Sequence, residues 1–405
     1  PESERGDLLG ECDLIMSFLM YNDISAMSRL HRSASAQMSR PAISIQKSGG
    51  WTFGSPSVLM MFYRASGELQ SELTEMDECM PHYYKITNGH GQGAETIMRA
   101  EADFMRACFA DAQIMLERAY AQIDGNGQEN MALCCDFLAW RLSLCTSFTP
   151  RESFEQRREA LLGLHNVTWL NILQSSCAYY YALLGLPEKI PAVFREHQLA
   201  SIHFLAPGKP MMELIENQVY LAQGEYAKVI GRSEALLGMC EAMHYALVAL
   251  HIRLQTAAAY EMLGKCETAD ELLISALAAA EPDALYLPFV ENYRYLKTAL
   301  TRGAGAKFAA FVRTVTPLGE DFVRRCGEKR AEGSRPAALA GLTERESAIA
   351  ALVAKRLSNR EIAEQLFLSE GSVKQYINQI YSKLLITGDV RTKRKRLAEL
   401  AAPKS

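Results

Sequence analysis

Lys374, Gln375 and Asn378 stand close together in the segment GSVKQYINQI. An ammonium can donate to O6 and N7 of guanine, and a side-chain amide can pair with N6 and N7 of adenine. Presented together, these three residue types can read base edges in the major groove of DNA, each good bidentate contact contributing about 1–3 kcal/mol of discrimination. Such a presentation needs a helix. Val373, Ile377, Ile380 and Leu384 are spaced by 4, 3 and 4 residues, the buried stripe of an amphipathic helix over about 370–384. That stripe leaves Lys374, Gln375 and Asn378 on the opposite, solvated side.

The residues around this helix carry the start and stop signals of two more. Ser369 can cap its N-terminus. Upstream, Ser358 with Glu361 forms a capping-box pattern for a short helix whose apolar face is Ile362, Ala363 and Leu366. Thr343 with Glu346 repeats the pattern for a helix burying Ile349, Leu352 and Val353. Two capped helices joined by a tight turn at Phe367 and Leu368, the second with a polar and basic face, make a helix-turn-helix docking unit. Arg360, Ser372 and Lys383 are placed in the sequence to meet phosphates, which hold register without reading sequence.

The stretch LTERESAIAALVAKRLSNREIAEQLFLSEGSVKQYINQIYSKL resembles the LuxR-type DNA-binding domain. It follows that family's pattern of Leu-Thr-x-Arg-Glu, then Ser-Asn-x-Glu-Ile-Ala, then Leu-x-x-Ser-x-x-(Thr/Ser)-Val-Lys, then Ile-x-x-Lys-Leu. The resemblance implies base contacts from Lys374, Gln375 and Asn378, and backbone contacts near Ser358, Arg360, Ser372 and Lys383. It also implies a double-stranded DNA partner and a homodimer formed through the closing helix. Three positions depart from the pattern. Arg356 stands where a Gly is usual, so the turn before the second helix is expected to close without the ease of a left-handed glycine or at a different angle. Tyr376 replaces a frequent His. Leu385 replaces a frequent Gly, so the fourth helix is expected to start differently. Beyond it, Arg391, Lys393, Arg394, Lys395 and Arg396 form a basic run, read either as a solvated face or as further phosphate contacts, Arg391 first among them.

Charge is distributed to match. From Leu342 to the end there are 12 Lys+Arg against 7 Asp+Glu, a net charge of +5, whereas residues 1–341 hold 31 against 40, a net charge of −9. A basic tail on an acidic body suits a terminal module that meets a polyanion.

Before residue 325 strand-like alternation is nearly absent and apolar spacings of three, four and seven recur. A short-turn signature returns at Gly67, Cys108, Gly185, Gly224 and Gly264, with a weaker instance near Cys145; the steps are 41, 37, 40, 39 and 40 residues. The period predicts stacked helix pairs, a superhelical tetratricopeptide-like array over residues 7–325. A polar, Gly- and Pro-bearing linker is expected over 326–337 and the reader domain over 338–402. The fold class is therefore all-α.

A LuxR-type reader behind 40-residue helix pairs is similar to the MalT-like branch of activators, which implies an effector or partner sensed by the repeats and an ATPase module upstream. No phosphate-binding Gly-x4-Gly-Lys-(Ser/Thr) loop occurs in this chain. It opens PESERGDLL, without Met, basic n-region or apolar run, so it reads as part of something longer. No cofactor is expected in it. No apolar run approaches the roughly 18 residues that span a bilayer, and no membrane partner is expected. The 10 cysteines lack Cys-x-x-Cys pairs and suggest reduced thiols in the cytoplasm. Neither a Gly-x-Ser-x-Gly elbow nor His-Glu-x-x-His occurs, and the paired histidines lack an acidic partner pattern, so neither an enzyme nor a metal site is expected. Trp51 and Phe53, in a loop that cannot hold a helix, and Tyr83 and Tyr84 are candidate effector or partner contacts. The competing reading is a protein-interaction scaffold whose helix-turn-helix has degenerated, favoured by Arg356 and Leu385.

Overall fold

Apolar residues recurring every three to four positions can be buried together only on helices, and the computed structural model of the chain consists of helices joined by turns. It describes residues 2–45, 56–125, 127–202, 204, 206–302, 307–333 and 341–401, and among these there is no strand. Trp51 and Phe53 lie outside the described residues. No described helix is long and apolar enough to cross a membrane. Two compact units divide the chain, Pro1–Cys326 and Gly327–Ser405.

The first unit opens with a hairpin of α1 (Glu2–Phe18) and α2 (Ile24–Gln37), followed by α3 (Val58–Phe62), α4 (Leu69–Thr87), α5 (Ala94–Met105), α6 (Phe109–Ile123), α7 (Glu129–Cys145), α8 (Phe154–Gly163) and α9 (Val167–Leu184). After α10 (Ala192–Arg195) come two regular pairs, α11 (Lys209–Gln223) with α12 (Tyr226–Met243) and α13 (Ala246–Met262) with α14 (Cys266–Ala280). The unit closes with α15 (Leu287–Glu291), α16 (Tyr293–Arg302) and α17 (Ala309–Gly333). Because α17 runs to Gly333, the expected linker is helical over its first part; residues 334–337 lie outside the described residues.

The repeated turn has a backbone cause. Gly67, Gly185, Gly224 and Gly264 have φ of 86°, 71°, 78° and 73°, the left-handed region in which a side chain is strained and glycine is not. At the Cys108 turn the neighbouring Ala107 takes that conformation, with φ of 59°. Near Cys145 the pattern differs: α7 runs through the cysteine and ends on extended Thr146.

Hydrogen bonds also run between hairpins distant in sequence. Asn22 Nδ2 donates to Met61 O at 2.8 Å and to His244 O at 3.0 Å. The Tyr63 hydroxyl and Gly67 N both donate to Asp283 Oδ2 at 2.6 Å, and Tyr286 N donates to Met105 O at 2.8 Å. In an open solenoid each repeat meets only its neighbours; here the early hairpins are tied to the late ones. At the centre, Arg141 of α7 forms a two-pronged pair with Glu291 of α15, at 2.8 and 3.1 Å. The Tyr179 hydroxyl donates to the same carboxylate at 2.7 Å.

After the last turns of α17, which cross into it, the described residues of the second unit form α18 (Glu344–Ala354), α19 (Asn359–Leu366), α20 (Glu370–Lys383) and α21 (Val390–Ala401). They share one small core, in which Ile349, Val353, Ile362, Val373, Ile380 and Leu397 are fully buried.

Candidate nucleic-acid interface

α18 and both helices of the hairpin, α19 and α20, begin on caps that the sequence announces. The Thr343 N–H donates to Glu346 Oε2 at 2.8 Å and Glu346 N donates back to Thr343 Oγ1 at 3.3 Å. Ser358 N donates to Glu361 Oε2 at 2.7 Å, while Glu361 N donates to Ser358 Oγ at 3.3 Å. Ser372 N donates to Ser369 Oγ at 3.0 Å. Each cap contributes about 1 kcal/mol, so the start of each helix, and with it the residues on its outer face, is fixed locally.

Phe367 closes α19 in the left-handed conformation, with φ of 54°, and Leu368 N donates to Ala363 O at 2.9 Å. This tight turn hands the chain to α20. Val373, Ile377, Ile380 and Tyr381 of α20 are buried, and Lys374, Gln375 and Asn378 are exposed on the opposite side. Three donor-bearing side chains thus share one open helical face, with a lysine and two amides free to meet a base edge.

The residues expected at phosphates fare unequally. Arg391 is exposed on α21. Arg360 is exposed, its Nε 3.2 Å from Glu364 Oε1, a surface pair weak enough to yield to a phosphate. The Ser372 hydroxyl lies 2.8 Å from that of Ser369. Ser358 spends both its N–H and its hydroxyl on Glu361, so a phosphate there would compete with the cap. Lys383 Nζ donates to Glu346 Oε2 at 2.7 Å. Burial works against the charged form of Glu346, but the Lys383 ammonium and the Thr343 donors outweigh it and hold the carboxyl below the usual carboxylate range.

Two of the three departures from the family pattern resolve in one way. Arg356 and Leu385 have φ of 63° and 52°. The turns therefore keep the left-handed shape that a glycine would give but without its ease, and of the two expectations for Arg356 the reshaped angle is not taken: the hydrogen bonds from Arg356 N to Val353 O at 2.9 Å and from Leu357 N to Leu352 O at 3.3 Å hold it there.

The basic run divides. Arg394 is a residue whose role sequence reasoning missed: its Nη1 donates to Asn359 Oδ1 at 2.7 Å and its Nη2 to Leu357 O at 2.6 Å, tying α21 to the start of α19. Lys393 lies over the Tyr381 ring, 5.9 Å from its centroid.

In the first unit, Tyr83 is fully buried, and its hydroxyl lies 2.8 Å from His90 Nδ1. The half-buried Tyr84 donates to Glu95 and accepts from Gly93 N at 3.0 Å. Both rings are spent on packing the α4–α5 hairpin, and Tyr83 offers no surface to an effector.

Residues 340–394 match the family described as bacterial regulatory proteins, luxR family. The transcriptional regulatory protein LnrK of Bacillus subtilis is 41% identical over 63 residues, 15% of this chain and 29% of that protein. The DNA-binding transcriptional activator DevR/DosR of Mycobacterium tuberculosis is 39% identical over 46 residues, 11% of this chain and 21% of that protein. The chain thus spans less than a third of the length of these relatives, and the likeness lies in the second unit.

Proposed function

Starting from a C-terminal helix-turn-helix domain of the LuxR family over residues 340–394, we propose that this protein is a DNA-binding transcription regulator whose long helical unit senses an effector or partner. The observation that carries the reading is the open face of α20, where Lys374, Gln375 and Asn378 are exposed above a capped and packed hairpin. Lys374 and the two amides read bases; Arg360, Ser372 and Arg391 hold phosphates. One such module makes few base contacts, so two copies, joined through α21, act on paired half-sites, where linkage raises the effective concentration of the second reader. The helical unit governs how the two are presented. The features that favoured a degenerate hairpin, Arg356 and Leu385, leave its turns intact, and support for a pure scaffold falls away with them.

The test is selection of bound sequences from a random duplex pool by the full chain, beside fluorescence anisotropy at low salt. Enrichment of a sequence with two related half-sites is expected, with affinity falling steeply as salt rises. Lys374→Ala together with Asn378→Ala should abolish enrichment and leave weak, sequence-independent binding. Lys383 is spared because its ammonium secures buried Glu346. Undetectable binding at low salt, or enrichment indifferent to both substitutions, sinks the reading.

A further inference from the structure

α8, α9 and the segment 189–192 line a cleft of about 700 Å³, within the range of small-molecule sites. One part of its lining is apolar: Phe154 and Leu162 from α8, Leu170, Leu173 and the ring of Tyr181 from α9, and Pro191. The aromatic wall is braced from behind, with Trp140 3.9 Å from Phe154 between ring centroids and Phe154 5.8 Å from Tyr181. Leu162 is 47% exposed, an apolar surface that an occupant would remove from water.

Polar side chains complete the lining: Ser153, Glu155, Arg158, Gln174, Cys177 and Lys189. The charged residues of its lining are Glu155, Arg158 and Lys189. Arg158 is engaged with Glu155, at 3.0 and 2.8 Å, and that pair is neutral overall. Lys189 has no carboxylate partner among the described residues; its ammonium lies 5.9 Å from the centroid of the Tyr181 ring. Among the described residues nothing hydrogen-bonds the Tyr181 hydroxyl or the Gln174 side-chain amide. Burial pushes the Tyr181 phenol up to about 12, so it stays a neutral donor. A partly apolar cleft lined by one uncompensated cation and two unspent neutral donors complements an anion carried on an apolar body.

We propose that the α8–α9 cleft binds a small apolar carboxylic acid, its chain or ring against Leu162, Leu170, Leu173 and Phe154 and its carboxylate at Lys189, Gln174 and the Tyr181 hydroxyl. The proposal deepens the sensing role given to the helical unit and rests on that reading. It names the chemical class of the effector and its site.

Octanoate is the probe, titrated into the full chain without DNA, by calorimetry and by tryptophan fluorescence, since Trp140 backs the Phe154 wall. Saturable one-to-one binding is expected, roughly tenfold or more weaker for 1-octanol and for the Lys189→Glu variant, which each lose a charge-assisted hydrogen bond. Gln174→Trp, which adds bulk to the lining, should abolish it. Lys189 is exposed, so its replacement tests recognition rather than folding. The proposal is overturned by absence of saturable octanoate binding, by binding indifferent to both variants, or by a cleft that takes an apolar peptide and no free acid. DNA selection is run without octanoate, so loss of this site leaves the reading of DNA standing and the reverse failure is equally visible.

Discussion

Arg356 carries a strain that its position does not require of every residue. With φ of 63° an L side chain presses on its own backbone, at a cost of about 1–2 kcal/mol relative to right-handed geometry. Its side chain is exposed, so the guanidinium offers little packing in return. Arg356→Gly should therefore stabilise the reader unit by roughly 0.5–1 kcal/mol, part of the relief being offset by the greater freedom of glycine in the unfolded chain. Hydrogen exchange of the α18–α20 amides in the full chain reads this out as slower opening. Faster exchange would mean that the arginine side chain secures the turn. The residue was conspicuous in the sequence because of its type, but the sign of its effect needed the backbone angle: either a left-handed turn under strain or a reshaped turn fitted the letters.

At the scale of elements, caps and apolar stripes are local and were legible. Thr343 with Glu346, Ser358 with Glu361, and Ser369 all cap where their spacing says they do, and Val373, Ile377 and Ile380 are buried as their period requires. What was not legible is how helices hold one another. Lys383 meets Glu346 from 37 positions away, and Arg394 meets Asn359 from 35. No periodicity marks such pairs, and both cations sat in stretches that also suited phosphates. Arg394→Met should remove two hydrogen bonds, leave the Leu357 carbonyl without its partner and destabilise the α21–α19 contact by about 1–3 kcal/mol. The expected sign is faster exchange in α21 and the first turn of α19, with the caps of α18 and α20 unaffected. If exchange is unchanged while DNA affinity falls, Arg394 is a phosphate contact after all.

At the scale of the molecule, the 40-residue period announced the helix pairs that turn at Cys108, Gly224 and Gly264, where an alanine or glycine takes left-handed backbone, whereas Gly185 leads only into a 3-10 turn and the four-residue α10. It could not announce that the pairs tie back on each other. Arg141 and Glu291 are 150 positions apart and both about 1% exposed, with the Arg141 guanidinium 4.9 Å from the Phe104 ring centroid. Glu101 is fully buried in the same interior, and desolvation raises its carboxyl to about 7 in spite of donors from Leu59 and Ser57. Removing one member of a buried ion pair leaves the other uncompensated, which typically costs 3–5 kcal/mol, whereas replacing both with apolar groups recovers much of it. Arg141→Met should therefore lower the stability of the first unit by roughly that amount, and Arg141→Met with Glu291→Met by distinctly less. Tryptophan fluorescence isolates the measurement, since Trp51, Trp140 and Trp169 all precede the reader. Because α7, α9 and α15 meet at this pair, and Asp283 ties Tyr63 and Gly67 to the far side, the unit should unfold in one transition in both variants. A chain of independent repeats would instead lose its hairpins in sequence; stepwise unfolding, or a loss below about 1 kcal/mol, would show that the cross-links between distant hairpins do not make this unit cooperative.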